Sequence, residues 1–510
     1  MIFDYDTANR VLQTTQDSKA VGYAYDIPNR RRTLTYPGGQ VVTEDRDFRE
    51  RLADIDAGTI ASYKYDFGNR VLNRSYGNGT SATYSYNDNN WITHLGHTKF
   101  GGELIAGFGY EYDKQGNKRF EQKQHDPRKS EGFAYDNLYR LIHYKVGELD
   151  NAGMVSLPLT QTQYDLDKLG NWDKKINDGT TETRVHNGIN EITRINGDAI
   201  QHDDNGNLSQ DSNYNYSYDQ ENRLTKATFV GAEGIETAGE YHYDALGRRI
   251  AKKTGVSRDN QDIRYYYDAA RIVEEQSPSG VTKAAYTYGN YVDEVLTFER
   301  NTVVNSKRYF VHSNHLYSPE ALTSDSGSVV ERYSYDAYGK QIVTNASGKT
   351  QTKSGVGFER GFTGYVIDNE SGLIHARTRS YYPSLGRFNS RMPWFGMGKL
   401  KFYAYDLSII DKSTLVSLAS VLENSTGSYL QSRYNLYDLM MVSPSNGIEP
   451  YSTFGWARDL WNWLTKDEPK PPFVPPYPGP GGSKWTPTAS CSKDPKTGEV
   501  KVIVGVKIRF

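Results

Sequence analysis

The chain has 510 residues with 60 basic and 62 acidic side chains, so no basic field announces nucleic acid and no acidic tail announces a cationic partner. One cysteine, Cys491, excludes an intrachain disulfide framework and a multi-cysteine metal site, and no run approaches the ~18 apolar residues of a membrane span. Mean hydropathy is −0.73, yet 41 tyrosines lift aromatic content to 13%, so amphipathic rings supply the apolar surface, which suits a sheet with water near both faces.

The first elements read as strands. "FDYDTANRVLQTT" (3–15) returns almost unchanged as "YHYDALGRRIAKK" (241–253). Side chains two apart share a strand face, so Tyr241 and Tyr243 point one way; Asp244 favours a turn and Gly247 supplies the positive φ of a tight reversal. Tyr333, Tyr335, Asp336 and Gly339 repeat the device. Each phrase is a strand, a turn and the start of the next strand. Because Met1–Asp6 begins inside such a phrase, the first strand is expected to be an edge that another chain or an upstream segment covers. The same residues lack the basic and apolar regions of a secretion signal.

Further copies end at Asp6, Asp26, Asp66, Asp113, Asp136, Asp219, Asp268 and Asp336, with degenerate ones at Asn87, Asp165 and Gly289. Markers lie 20 to 29 residues apart except for gaps of 40, 54 and 47, and each long gap holds a worn copy: one from Asp45, two from His186 and Asp203, one from Val311. Such a period marks units that stack on their neighbours. The array spans 1–345 and predicts an all-β fold, a long antiparallel ribbon that coils into a spiral or shell.

Residues 346–405 differ in character, with "GFTGYVIDNESGLIHARTRSYYPSLGRFNSRMPWFGMG" at 361–398. With "RYFVHSNHLYSPEALTSDSGSVVERYSYDAYGK" (308–340), this block resembles the core of the Rhs/YD-repeat family: bacterial polymorphic toxins, C components of toxin complexes and teneurins. The resemblance implies a hollow β-shell closed by the block at 346–405, with aspartate-dependent self-cleavage releasing a variable C-terminal segment in toxin members. The family writes Arg-Asp-Pro where this chain has Arg391, Met392 and Pro393. Arg391 could serve as the cation and Asp406 or Asp411 as one carboxyl, with scission after Leu415, but methionine cannot share a proton. An intact chain is expected.

Residues 406–468 carry two amphipathic helical patterns: Leu415, Leu418, Ala419 and Leu422, then Phe454, Ala457, Leu460, Trp461 and Leu464. "PKPPFVPPYPGPGG" (469–482) reads as a polyproline linker, and 483–510 as a terminal tail able to form a β-hairpin. His312 and His315 have a spacing open to metal, but in strand and turn sequence a structural role is expected. Cys491 has no nearby histidine to activate it, and "YGNGT" and "DDNGN" are turns rather than phosphate loops. Neither a cofactor nor a metal is expected.

The leading reading is a non-enzymatic shell that encloses or presents its own C-terminal segment, in a secreted toxin or contact-dependent competition system, located outside the cell or on a bacterial surface. Its expected partners are that segment or an upstream shell segment or chain, with no nucleic acid held by the shell. A cell-surface glycan-binding adhesin and an autoproteolytic toxin carrier are the rivals.

Overall fold

In a computed structural model the described residues are 2–231, 234–255, 261–301 and 305–391, with the backbone of two further strands, Trp485–Lys493 and Val500–Ile508. Alternating aromatic and polar residues, punctuated by Asp, Asn and Gly, produce strands of about five to seven residues joined by tight turns. Nineteen strands from Ile2 to Ala199 form one ribbon and fifteen from Gln201 to Gln351 a second. Each strand pairs antiparallel with the next: Ile2–Tyr5 with Val11–Gln16, that with Lys19–Asp26, and so onward. The ribbons part at Ile200, which is buried. Helix among the described residues is limited to the 3₁₀ turns Pro127–Lys129 and Phe362–Gly364.

The ribbons pack against one another, and this changes the expectation of a sheet wet on both faces. A single apolar cluster joins Val21, Leu34, Tyr36, Ile55 and Tyr76 of the first ribbon to Tyr266, Val273, Leu296 and Phe310 of the second. Tyrosine suits this interface because its ring fills space while its hydroxyl finds a carbonyl on the facing ribbon. Tyr36 donates to the Tyr286 carbonyl at 2.8 Å and Tyr76 to the Val311 carbonyl at 3.0 Å. Arg32 pairs with Asp268 and Arg74 with Glu294 across the same interface.

Residues 352–391 pack mostly on the second ribbon. Their four short strands, Val366–Asp368, Leu373–Ala376, Arg379–Tyr382 and Arg387–Phe388, form a small meander. Phe358, Phe362, Ile374 and Tyr381 enter the cluster built around Tyr286, Phe298 and Tyr333. In a separate compact unit, Trp485–Lys493 and Val500–Ile508 form an antiparallel hairpin. The two helical patterns of 406–468 and the linker at 469–482 lie outside the described residues.

Candidate functional site

Asp26, which binds the amide and side chain of Asn29 three residues on, and Asp268, whose strand turns directly to Arg271, stand apart; the other turns that follow a Tyr-Asp phrase share one geometry. The aspartate Oδ1 accepts the backbone amides two and four residues on, and Oδ2 accepts the side chain at the fourth. At Asp136 these are Leu138 N (2.9 Å), Arg140 N (3.0 Å) and Arg140 Nε (2.7 Å). Asp6 with Arg10, Asp47 with Arg51, Asp219 with Arg223 and Asp244 with Arg248 repeat the set. Burial pushes the Asp136 carboxyl up, but Arg140 and the two amides outweigh it and hold the group below the usual range. The third residue after the aspartate is left-handed, at φ +80° for Gly247 and +89° for Gly339, which glycine adopts without strain.

Each corner also grips the next repeat. The second tyrosine of a phrase donates its hydroxyl to the carbonyl just past the preceding corner: Tyr25 to Val11, Tyr65 to Leu52, Tyr86 to Val71, Tyr243 to Leu224, Tyr335 to Pro319. Where the preceding corner carries an arginine, that arginine covers the tyrosine's ring, with Arg51 4.4 Å from the Tyr65 centroid, Arg70 4.8 Å from Tyr86 and Arg223 5.0 Å from Tyr243. It then reaches the following corner, as Arg70 does to Asn90 Oδ1 at 2.7 Å and Arg140 to the Asp167 carbonyl at 3.0 Å. Coupling therefore passes from neighbour to neighbour along the rim.

The worn copies have a use that the sequence pattern conceals: they receive residues 384–391. Where a tyrosine would stand, Arg184 donates to the carbonyls of Leu385 (2.8 Å) and Ser384 (3.1 Å). Three successive corners lack the arginine, carrying Asn171, Glu191 and Asn207 instead. Arg387 enters the first vacant slot, donating to Asn171 Oδ1 and the Asn190 carbonyl. Arg391 enters the second, with its Nη2 2.8 Å from Glu191 Oε1. Asn389 is bonded through its carbonyl by Leu208 N at 2.7 Å. The 387–391 strap thus lies across the corner line, and a Cβ at Gly206 (φ +78°) would come within 2.3 Å of Arg391 Nε. The corner assigned to Asp165 is in fact made by Asp167, two residues on, because the phrase there is Tyr164-Asp165-Leu166-Asp167.

Buried charges tie the meander of 366–388 to the second ribbon. Arg249 holds Asp368 through two bonds of 2.6 and 2.8 Å. Lys252 sits among Glu359 (2.8 Å), Glu370 (3.4 Å) and Asp368 (3.7 Å). Tyr241 donates to Glu370 at 2.8 Å, and burial, partly countered by Lys252, pushes that carboxyl up to about 6. Removing one partner here would strand a charge away from water.

His312 and His315 do not converge on a metal; among the described residues no group of three or more His, Cys, Asp or Glu could hold one. His97 Nε2 lies 2.9 Å from the Ser313 carbonyl and must donate, which leaves its Nδ1 to accept from His312 Nδ1 at 3.2 Å; His312 Nε2 then accepts from Thr323 Oγ1 at 2.9 Å. Both rings are neutral, and burial drives His97 down to about 3 and His312 well below its ordinary value. His315 lies tilted by 51° against the Tyr110 ring, 4.2 Å between centroids, and is lowered to about 3 by burial and by Lys118.

Of the self-cleavage candidates, Arg391 is described and faces Glu191, whereas Met392, Asp406, Asp411 and Leu415 lie outside the described residues, as does the side chain of Cys491. Tyr241 and Tyr333 are buried wall residues, Tyr243 and Tyr335 make the inter-repeat bond, and Asp244, Gly247, Asp336 and Gly339 form corners.

The chain is 27% identical over 347 residues to the tRNA3(Ser)-specific nuclease WapA of Bacillus spizizenii, covering 66% of this chain and 14% of that protein. It is 23% identical over 436 residues to double-stranded DNA deaminase toxin A of Burkholderia cenocepacia, covering 79% and 29%. The solved TcdB2-TccC3 structure matches with a TM-score of 0.62 at 18% identity, over 76% of this chain and 23% of that one. The chain therefore spans less than a third of these relatives. Residues 97–395, more than half of the 510, match the teneurin YD-shell family, and the corners from Asp113 to Asp336 and the strap at 387–391 lie within this stretch, so the chain belongs to the Rhs/YD-repeat family.

Proposed function

We propose that this chain is a shell segment of a toxin protein, and that its β-array encloses or presents the segment that follows Arg391. The observation that carries this is the strap: Arg184, Asn171, Glu191 and Leu208 fix residues 384–391, so the C-terminal segment starts from a clamped point on the corner line. Relatives with the same array are named as a tRNA nuclease and a DNA deaminase toxin, so the array recurs in proteins with different effector activities. Among the described residues no helix is long and apolar enough to cross a membrane, and the proposed location is outside the producing cell or on its surface. The domain reading follows: array 1–345, closing block 346–405, variable segment 406–468, linker 469–482, tail 483–510.

Limited proteolysis of the native protein tests this reading. Enclosure predicts that sites in 408–510 are cut no faster than sites in the ribbons, and presentation predicts rapid loss of 408–510 with residues 2–391 intact. Early, simultaneous cutting throughout 2–391 would sink both. A glycan array run on the same preparation separates the adhesin reading, which alone requires a sugar-dependent signal.

A further inference from the structure

A small cavity between the two ribbons is lined by buried polar groups that the corner pattern does not use: Lys118, Glu121, Lys123 and Glu131 from the first ribbon, Asn314 and Glu320 from the second. Lys118 pairs with Glu121 at 2.6 Å and Lys123 with Glu131 at 2.8 Å, which leaves Glu320 as a third carboxyl to two amines. Burial, reinforced by Glu121 and Glu131, pushes the Glu320 carboxyl up to about 8, so it carries a proton at neutral pH. Its two oxygens face different partners. Oε2 lies 3.9 Å from Lys123 Nζ, and Oε1 lies 3.1 Å from Asn314 Nδ2. Asn314 stands at a worn corner, where its Oδ1 accepts the amides of Leu316 (3.0 Å) and Ser318 (3.2 Å) as a corner aspartate's does. One buried cavity therefore gathers an amine, a carboxamide whose oxygen is held by two N–H donors, and a protonated carboxyl between them.

We propose that Lys123 and Asn314 form an intramolecular amide that joins the two ribbons covalently, with Glu131 as the base and Glu320 as the proton relay. Glu131, whose carboxyl is raised by burial, takes a proton from the Lys123 ammonium, and the flexible lysine stem swings the freed amine from Glu131 to Asn314. Nζ attacks Cγ and forms the new C–N bond, while the negative charge developing on Oδ1 falls on the Leu316 and Ser318 amides. Glu320 gives its proton to Nδ2 and takes one back from the attacking nitrogen. The Cγ–Nδ2 bond breaks, and ammonia leaves with the proton held by Glu131. Lysine ammonium and carboxamide thus become amide and ammonium, without oxidant or cofactor. Burial favours the neutral amine at Lys123, but Glu131 and Glu320 outweigh it and keep the group charged, so the bond forms slowly after folding. Lys252, Glu359 and Asn369 repeat the order of groups, with Glu359 2.8 Å from Lys252 Nζ and 3.4 Å from Asn369 Nδ2. Asn369 is exposed to water, however, and no such bond is expected there.

Mass spectrometry of the full chain, fresh and after about a day at neutral pH, tests this. The bond removes one ammonia, ~17 Da, and trypsin then releases residues 120–128 joined to 309–332 as one branched peptide. Lys123→Arg should abolish the branched peptide, and Glu320→Gln should slow its appearance about a hundredfold. Recovery of residues 120–123 and 309–332 only as separate linear peptides from the aged protein would overturn the proposal. So would a loss of ammonia confined to a linear peptide, which marks cyclisation at an Asn–Gly step such as Asn205–Gly206, or a branched peptide that forms at an unchanged rate in Glu320→Gln. The peptide map of the unaltered chain decides the matter even where a variant folds poorly. None of these outcomes touches the proteolysis test of enclosure, so the two readings fail separately.

Discussion

A corner aspartate uses its two oxygens differently: Oδ1 closes the backbone turn and Oδ2 orients the arginine that grips the next repeat. Asp136→Ala removes both roles at a partly buried site, and an equilibrium urea titration should show a loss of about 2 kcal/mol; Asp136→Asn, which keeps the Oδ1 acceptor, should lose about half as much. The left-handed third position is a second lever. Tyr139 occupies it at φ +61° with its ring half exposed, so Tyr139→Gly should stabilise by about 1 kcal/mol in the same titration. The buried histidines set the acid limit. His97 and His315 fall to about 3 when folded, below 6.5, so the unfolded chain takes up their protons first. Their contribution is complete above pH 6.5 and is lost progressively as pH falls from there towards 3, about 2 kcal/mol each by pH 5. Melting temperature should drop steeply between pH 7 and pH 5; a flat profile would contradict neutral burial.

At the scale of one hairpin, departures from the repeat are where other segments attach. By pattern alone, Asn171, Arg184 and Glu191 look like decay, because a missing tyrosine or arginine is all that a local motif can report. Their partners, Ser384 to Arg391, are about 200 residues away. This produces a counterintuitive expectation. Glu191→Arg restores the repeat's own corner arginine, yet places a second cation against Arg391 and removes its acceptor. The ribbon should keep its stability while amide exchange of residues 387–391 accelerates about tenfold, and the charge swap Glu191→Arg with Arg391→Glu should return the slow exchange. The Asp165 marker shows the limit of motif reading at this scale: the aromatic-x-x-Asp spacing is met by Tyr164 and Asp167, and only the turn hydrogen bonds reveal that register.

For the whole molecule, the facing of the two ribbons decides what the tyrosines do. Tyr36 and Tyr76 cross a dry interface rather than line a sheet wet on both faces, and Tyr36→Phe should cost about 1 kcal/mol by leaving the Tyr286 carbonyl short of a donor. The chain's covalent fate is testable at the same scale. Arg391 is already engaged by Glu191, and Met392 cannot carry a proton, so an intact-mass spectrum of fresh protein should show one species near 57.7 kDa. Met392→Asp supplies a carboxyl beside that arginine. A C-terminal fragment beginning at Val416 in the variant would show that the remainder of an aspartic site is preserved, whereas a fragment in the unaltered chain would refute the expectation of an intact protein.

The all-β class, the period and the corner chemistry are local properties, carried by residues within about five positions of one another, and they are legible in the sequence for that reason. Strand alternation, the Asp–Arg pairing across a turn and the left-handed glycine each follow from the side chain and its immediate backbone. What only the tertiary structure decided was which ribbon face is dry, what the worn copies hold, and that His97 and His312 hydrogen-bond to one another as buried neutral rings. Those depend on contacts separated by some 200 residues or more, between side chains whose burial and partners no local pattern encodes; the same tyrosine is wall, relay or core according to what the other ribbon brings against it.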